Sequence, residues 1–149
     1  MIPSVIEPGG GTGYEWSNDH VFVKTSASMT EGQVTVVEDT LKPGFHLGRH
    51  FHKRMTEVFY VLEGEVSFTF DDETVVARPG TTVTVPPGVM HEASCAGGGR
   101  MLTVFSPGGF DRYMEEMAAL PETAFEDGAR MQALAEKYGV KGFPTLKIF

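Results

Sequence analysis

From His20 onward, short runs rich in Val, Phe and Thr alternate with turn punctuation: HVFVKT, GQVTVVEDTL, TEVFYVLEG, EVSFTFDD, ETVVARPG, TTVTVPPG and RMLTVFSPGG. Runs of this kind, each closed by Gly, Pro or Asp, predict strands joined by tight turns. Strands that follow one another so closely leave no room for crossover helices, so the sheets are expected to be antiparallel and the fold class all-β, a sandwich or a barrel.

The two faces of these strands differ. Val66, Phe68 and Phe70 alternate with Glu65, Ser67 and Thr69, as in a strand with one wet face, whereas Val58 to Leu62 is apolar on both faces and is expected in the middle of a sheet or under a partner. Asp71-Asp72 predicts a hairpin turn, and Arg78-Pro79-Gly80 and Pro86-Pro87-Gly88 each close a strand. After Pro107-Gly108-Gly109 the period changes. Phe110, Tyr113, Met114, Met117 and Leu120 fall at helical spacing before Pro121, and a second helix is predicted from Asp127 to Tyr138, ending at Gly139. Their apolar stripes are expected to be packing surfaces, with both helices outside the β body. The chain thus divides into an arm over residues 1–19, a β-barrel over 20–107, and helices with a tail over 108–149. The arm is expected to be mobile or ordered by a partner subunit; the last twelve residues, YGVKGFPTLKIF, form a strand-like segment that covers a sheet edge or stays loosely ordered.

Charge narrows the choice of partner. Twelve basic against twenty acidic residues give a net charge of −8, with no basic stripe along either helix, which disfavours nucleic acid and anionic membranes and leaves a small molecule as the expected partner. No run has the length of a membrane span, and the N-terminus lacks the basic and apolar regions of a signal peptide. A single cysteine, Cys95, cannot close an internal disulfide, in keeping with a cytoplasmic location.

Candidate chemistry is concentrated in GFHLGRHFHKRMTEVFYVLEG, residues 44–64. In a strand, His50 and His52 project from one face with Cα atoms about 6.6 Å apart, a chelating pair. After the Lys53-Arg54-Met55 turn, Glu57 is expected on the neighbouring strand, facing the apolar interior with Phe59 and Val61. A carboxylate buried there costs several kcal/mol unless a cation accompanies it. His91, after the Pro86-Pro87-Gly88 turn in GTTVTVPPGVMHEASC, is available as a fourth ligand. Three imidazoles and a carboxylate suit one divalent transition metal per chain, Fe, Mn, Ni, Zn or Cu, with no soft thiolate indicated.

These blocks resemble the two motifs of the cupin superfamily. The first is matched by Gly44, His50, His52, Glu57 and Gly64, the second by Gly80, Pro86, Gly88 and His91, with Cys95 in place of the asparagine that often closes it. The strand count and terminal helices are also similar to those of small single-domain quercetin dioxygenase-like cupins. The resemblance implies a double-stranded β-helix, a jelly-roll cupin barrel, often a homodimer, with His50, His52, Glu57 and His91 binding one metal inside. It further implies a metal-dependent dioxygenase in which Glu57 is the catalytic base. The substrate pocket is expected to be walled by Phe59, Val61, Phe68, Val85, Met90 and Phe105, with His46 at its rim. A non-redox isomerase, cyclase or lyase and a non-catalytic ligand-binding cupin are the alternatives.

Overall fold

The computed structural model describes residues 2–142. In chain order its strands are β1 (Thr12–Glu15), β2 (Asp19–Thr25), β3 (Thr35–Leu41), β4 (Phe45–His52), β5 (Thr56–Glu63), β6 (Val66–Phe70), β7 (Glu73–Ala77), β8 (Thr82–Val85), β9 (His91–Cys95), β10 (Gly99–Ser106) and β11 (Val140–Gly142). Every pairing is antiparallel. One sheet has the order β1-β2-β3-β10-β5-β8 and the other β11-β4-β9-β6-β7. The alternation along β6 holds from Val66 to Thr69, with Val66 and Phe68 buried and Ser67 and Thr69 half-buried, and ends at Phe70, which is half-buried as well. β5 lies inside its sheet, between β10 and β8, which accounts for its two apolar faces.

Two findings differ from the simplest reading of the sequence. Residues 12–15 are ordered by their own chain, since β1 pairs with β2 from Thr12↔Val23 to Glu15↔His20. β4 and β5, joined by the Lys53-Arg54-Met55 turn, are not hairpin neighbours: they belong to opposite sheets and face one another across the interior. Of the tail, β11 pairs with β4 through Val140↔His52, Lys141↔Phe51 and Gly142↔His50, so it covers that sheet edge, and residues 143–149 lie outside the described residues.

Both helices occupy the predicted segments, α1 at Phe110–Ala118 and α2 at Gly128–Lys137. Asp127 caps α2 by accepting from the Arg130 amide at 3.1 Å. The start of α1 is pinned to β3: the Thr35 hydroxyl donates to Asp111 at 2.5 Å and accepts from the Gly109 amide at 3.0 Å. Those bonds turn the apolar stripe of α1 toward the sheets. Phe110, Tyr113, Met114 and Met117 join Val21, Val37 and Phe105 in one buried cluster. A second cluster, with Phe59, Val61, Val66, Phe68, Val85 and Met101, contains no helical residue. The interior is therefore filled at one end by strands alone and closed at the other by α1.

Gly64 stands where the β5–β6 connection crosses the turn before β10. It has φ +81°, and a methyl group there would lie 2.5 Å from the Gly98 carbonyl oxygen. Both features oppose a side chain. Gly64→Ala is expected to destabilise the fold by more than about 1 kcal/mol, read as a lower midpoint in urea with an unchanged slope.

Candidate metal centre

Cross-strand register and one irregularity assemble the site. His50 sits directly opposite His91 in the β4–β9 pair. Between the pairs Leu47↔Ala93 and His50↔His91, β4 advances three residues while β9 advances two, so β4 carries a bulge. The extra residue shifts the side-chain parity: Phe45, before the bulge, and His50 and His52, after it, all face inward, while His46 is exposed. Even spacing would otherwise have placed His46 beside His50 and His52. His46 is thus removed from the pocket wall, and its Nε2 lies on the outer face 3.8 Å from Glu92.

Glu57 enters from the opposite sheet, with Phe105 as its partner on β10 and Val85 on β8. The ligand atoms of His50, His52, Glu57 and His91 all lie within 4.8 Å of one another, and all four residues are buried. Gly88, in the turn before β9, donates its amide to the His52 carbonyl at 2.8 Å, which ties the second sequence block to the first.

The donor set fits one divalent ion. His50 Nδ1 donates to the Gly48 carbonyl at 2.6 Å and His91 Nδ1 to the Val89 carbonyl at 2.9 Å. With the proton on Nδ1, a neutral ring presents its Nε2 lone pair, and hydrogen bonds of this kind orient metal-binding histidines. The His91 lone pair then meets Glu57 Oε1 at 2.9 Å, two acceptors facing each other unless a cation lies with them. His52 Nε2 is 3.3 Å from the same oxygen without hydrogen-bond alignment, and neither ring nitrogen of this buried histidine has a hydrogen-bond partner. Its ring is held instead by edge contacts with Phe105 and Phe110 at 5.8 and 5.7 Å. A divalent ion satisfies Nε2 of His52 and the facing acceptors together.

Without the ion, protons must take its place. Burial pushes His50 down to about 3, with the charge of His91 adding to the effect. Burial opposes charge on His91 and Glu57 as well, but their mutual contact prevails: His91 is raised, and Glu57, beside His52 and His91, is held well below the ordinary carboxylate range. The metal-free pair is therefore imidazolium and carboxylate.

A cavity of about 40 Å³ adjoins the cluster, with His50 and Glu57 in its wall together with Phe59, Phe105, Phe110, Met101 and Met114. Of the residues expected in a pocket wall, Phe59 and Phe105 line this cavity. Val61, Phe68 and Val85 are buried in the strand-only cluster and do not line the cavity, because the interior at their level is filled by side chains. Met90 is half-buried in the turn before β9, away from the cavity. Phe110 and Met114 were legible as a helix stripe, but nothing local aimed it at the site. Asp19, Asp39 and Thr103, also in the wall, carried no motif.

The wild-type protein should gain about 2.7 kcal/mol of stability at metal concentrations a hundredfold above Kd. His52→Ala should lose most bound metal and nearly all of that gain, read by metal analysis and thermal melting; full stoichiometry in the variant would refute the ligand set. Metal must also displace the His91 proton, so affinity should rise as pH is raised through the elevated His91 value, with about one proton released per ion. Calorimetry in buffers of different ionisation enthalpy counts that proton. In the metal-free protein, His50 is shifted in the opposite direction to His91: the unfolded chain protonates near 6.5 and the folded chain only near about 3, so the His50 contribution to stability falls as pH drops below 6.5.

The chain is similar to known proteins in sequence and in fold. The chain is 29% identical over 90 residues to quercetin 2,3-dioxygenase of Bacillus subtilis (strain 168), covering 60% of this chain but 27% of that protein. The fold is similar to KdgF from a Halomonas species, with TM-score 0.67, 18% identity, and coverage of 74% of this chain and 99% of that one. It is also similar to the nucleoside dehydratase Pac13 from Streptomyces, with TM-score 0.61, 19% identity, and coverage of 74% and 88%. The cupin domain family matches residues 30–106, a segment that takes in both sequence blocks and all four candidate ligands, and the chain belongs to the cupin superfamily.

Proposed function

We propose that the protein is a metal-dependent dioxygenase acting on a small organic molecule, enolisable or partly aromatic. One observation carries this reading: His50 and Glu57 border a cavity whose other walls are largely apolar, so the candidate metal centre opens toward a sheltered space. Likeness to the Bacillus dioxygenase supports the redox chemistry. On a scale where one water needs about 10–15 Å³, a cavity of about 40 Å³ favours a compact diketone or hydroxy acid over a fused-ring flavonol.

A divalent ion bound there supplies Lewis acidity and, if redox-active, an electron route to dioxygen. The chain's own groups do the rest. Gly48 and Val89 hold the imidazoles of His50 and His91 in place. Glu57 borders the cavity, where its carboxylate can accept the proton that an enolisable substrate gives up. Phe59, Phe105 and Phe110 keep bulk water from that carboxylate.

A non-redox isomerase, cyclase or lyase is the second reading, favoured by an imidazole-rich set that also suits zinc and by the fold shared with a nucleoside dehydratase. A homodimer suits the outer face of the larger sheet, where Phe22, Val36, Val58, Leu62 and Val104 are half-buried and Tyr60 is exposed. A reducing, cytoplasmic setting suits the single buried thiol of Cys95.

Protein loaded with Fe(II), Mn(II), Ni(II) or Zn(II) should be offered small diketones and thiol acids in an oxygen electrode. Oxygen consumption matched to substrate loss is expected with at least one redox-active ion, and Glu57→Gln should lower kcat about 10²–10⁴-fold at equal metal content. Turnover by the zinc form that is unaffected by removing air would establish the second reading instead. Binding without turnover under every condition would leave a ligand-binding cupin.

A further inference from the structure

The cavity has a second polar feature away from the four candidate ligands. Asp19 and Asp39 both face inward from the β2–β3 pair, Asp19 opposite Leu41 and Asp39 opposite Val21, which makes them diagonal neighbours on one face. They are only 4% and 9% exposed. The two carboxyl groups stand close enough for each to disfavour the other's charge. The Thr103 hydroxyl donates to Asp39 Oδ2 at 3.1 Å. Asp19 Oδ1 has no hydrogen-bond partner although it is buried.

Burial of two adjacent acids without a paired cation is costly, and among the described residues neither forms an ion pair with Lys or Arg. The least costly state has one shared proton. Burial, followed by the neighbouring Asp39, raises Asp19 well above the ordinary carboxylate range, and burial raises Asp39 too. Thr103 donating to Asp39 places the negative charge there and the proton on Asp19. That arrangement gives Asp39 a donor and leaves Oδ1 of Asp19, a residue of the cavity wall, buried and without a partner. A buried polar atom of this kind calls for a partner that the protein does not provide.

We propose that the buried pair Asp19–Asp39 is a second ligand contact, binding a neutral hydroxyl group of the same small molecule whose other oxygen faces His50, His52, Glu57 and His91. The proposal rests on the reading of the cavity as a substrate site and names its substrate class: a short molecule with an oxygen donor at one end and an alcohol at the other. A hydroxyl suits the pair because it can both donate to and accept from a half-protonated carboxyl. The net negative charge of the pair disfavours a second carboxylate at that position.

The test uses intact Co(II)-loaded protein and matched acids: glycolate, 3-hydroxypropanoate and 4-hydroxybutanoate against acetate, propanoate and butanoate. Binding is followed by the visible cobalt bands. At one chain length or more, the hydroxy acid should bind about fivefold to tenfold tighter than its parent, the worth of one hydrogen bond. Asp19→Asn, which replaces a protonated carboxyl with a neutral donor and acceptor of the same shape, should retain the preference. Asp19→Ala/Asp39→Ala, with full cobalt content as the check on folding, should abolish it while parent acids bind as before. Equal binding of hydroxy and parent acids at every length overturns the proposal and leaves the metal site intact. So does a preference that survives in the double variant, or one lost in Asp19→Asn. Cobalt bands indifferent to all six acids would instead overturn the substrate-site reading itself.

Discussion

A carboxylate surrounded by imidazoles inside an apolar barrel is the constraint on which the rest depends. Glu57 is buried between Phe105 and Val85 on its neighbouring strands, and a bare charge there would be expelled or neutralised. The structure answers with three histidines from the opposite sheet, two of them fixed by backbone carbonyls so that they turn lone pairs inward. Such a cluster is coherent in two states, with a cation or with protons in its place. The same contacts that hold the metal-free centre together therefore make ion binding dependent on pH.

Placing those histidines requires a defect in a strand. A regular β4 would send His46, His50 and His52 to one face, and Phe45 and Leu47 to the other. The bulge between Leu47 and His50 lets Leu47 and His50 both reach the cavity, and it puts the Gly48 carbonyl where the His50 ring can donate to it. Bulges are common next to functional sites because they re-aim side chains at little cost to the sheet. Here a single extra residue sets both the direction of an imidazole and its tautomer.

The interior is also graded in polarity. One end is packed solid with Phe59, Val61, Phe68 and Val85, and the other is closed by α1, so the remaining space lies along the seam between the two apolar clusters. Along that seam stand two acidic centres with different means of neutralisation. Glu57 is compensated by imidazoles, Asp39 by a shared proton and the Thr103 hydroxyl. A molecule in the cavity meets an ion-binding end and a hydrogen-bonding end within one apolar sleeve.

Strand content, turn positions, the two helices and the four clustered candidate ligands were legible in the sequence, because each rests on local chemistry: alternation of period two, Gly and Pro at turns, a helical stripe, and histidines next to an acid that has no local reason to be buried. The four candidate ligands also stood at the spacing of the two blocks that carry the family resemblance. What the sequence did not disclose depends on which strands meet. Whether β5 pairs with β4 or faces it from the other sheet is decided by long-range hydrogen bonding, and the fate of His46 by a bulge that shifts parity without leaving a mark in composition. The pocket wall drew on strands far apart in the chain, so Asp19, Asp39 and Phe110 could join it, and Val61, Phe68, Val85 and Met90 be left out, only once the sheets had closed on one another. Local sequence sets what each segment can be; the packing of two sheets across one interior sets what each side chain meets.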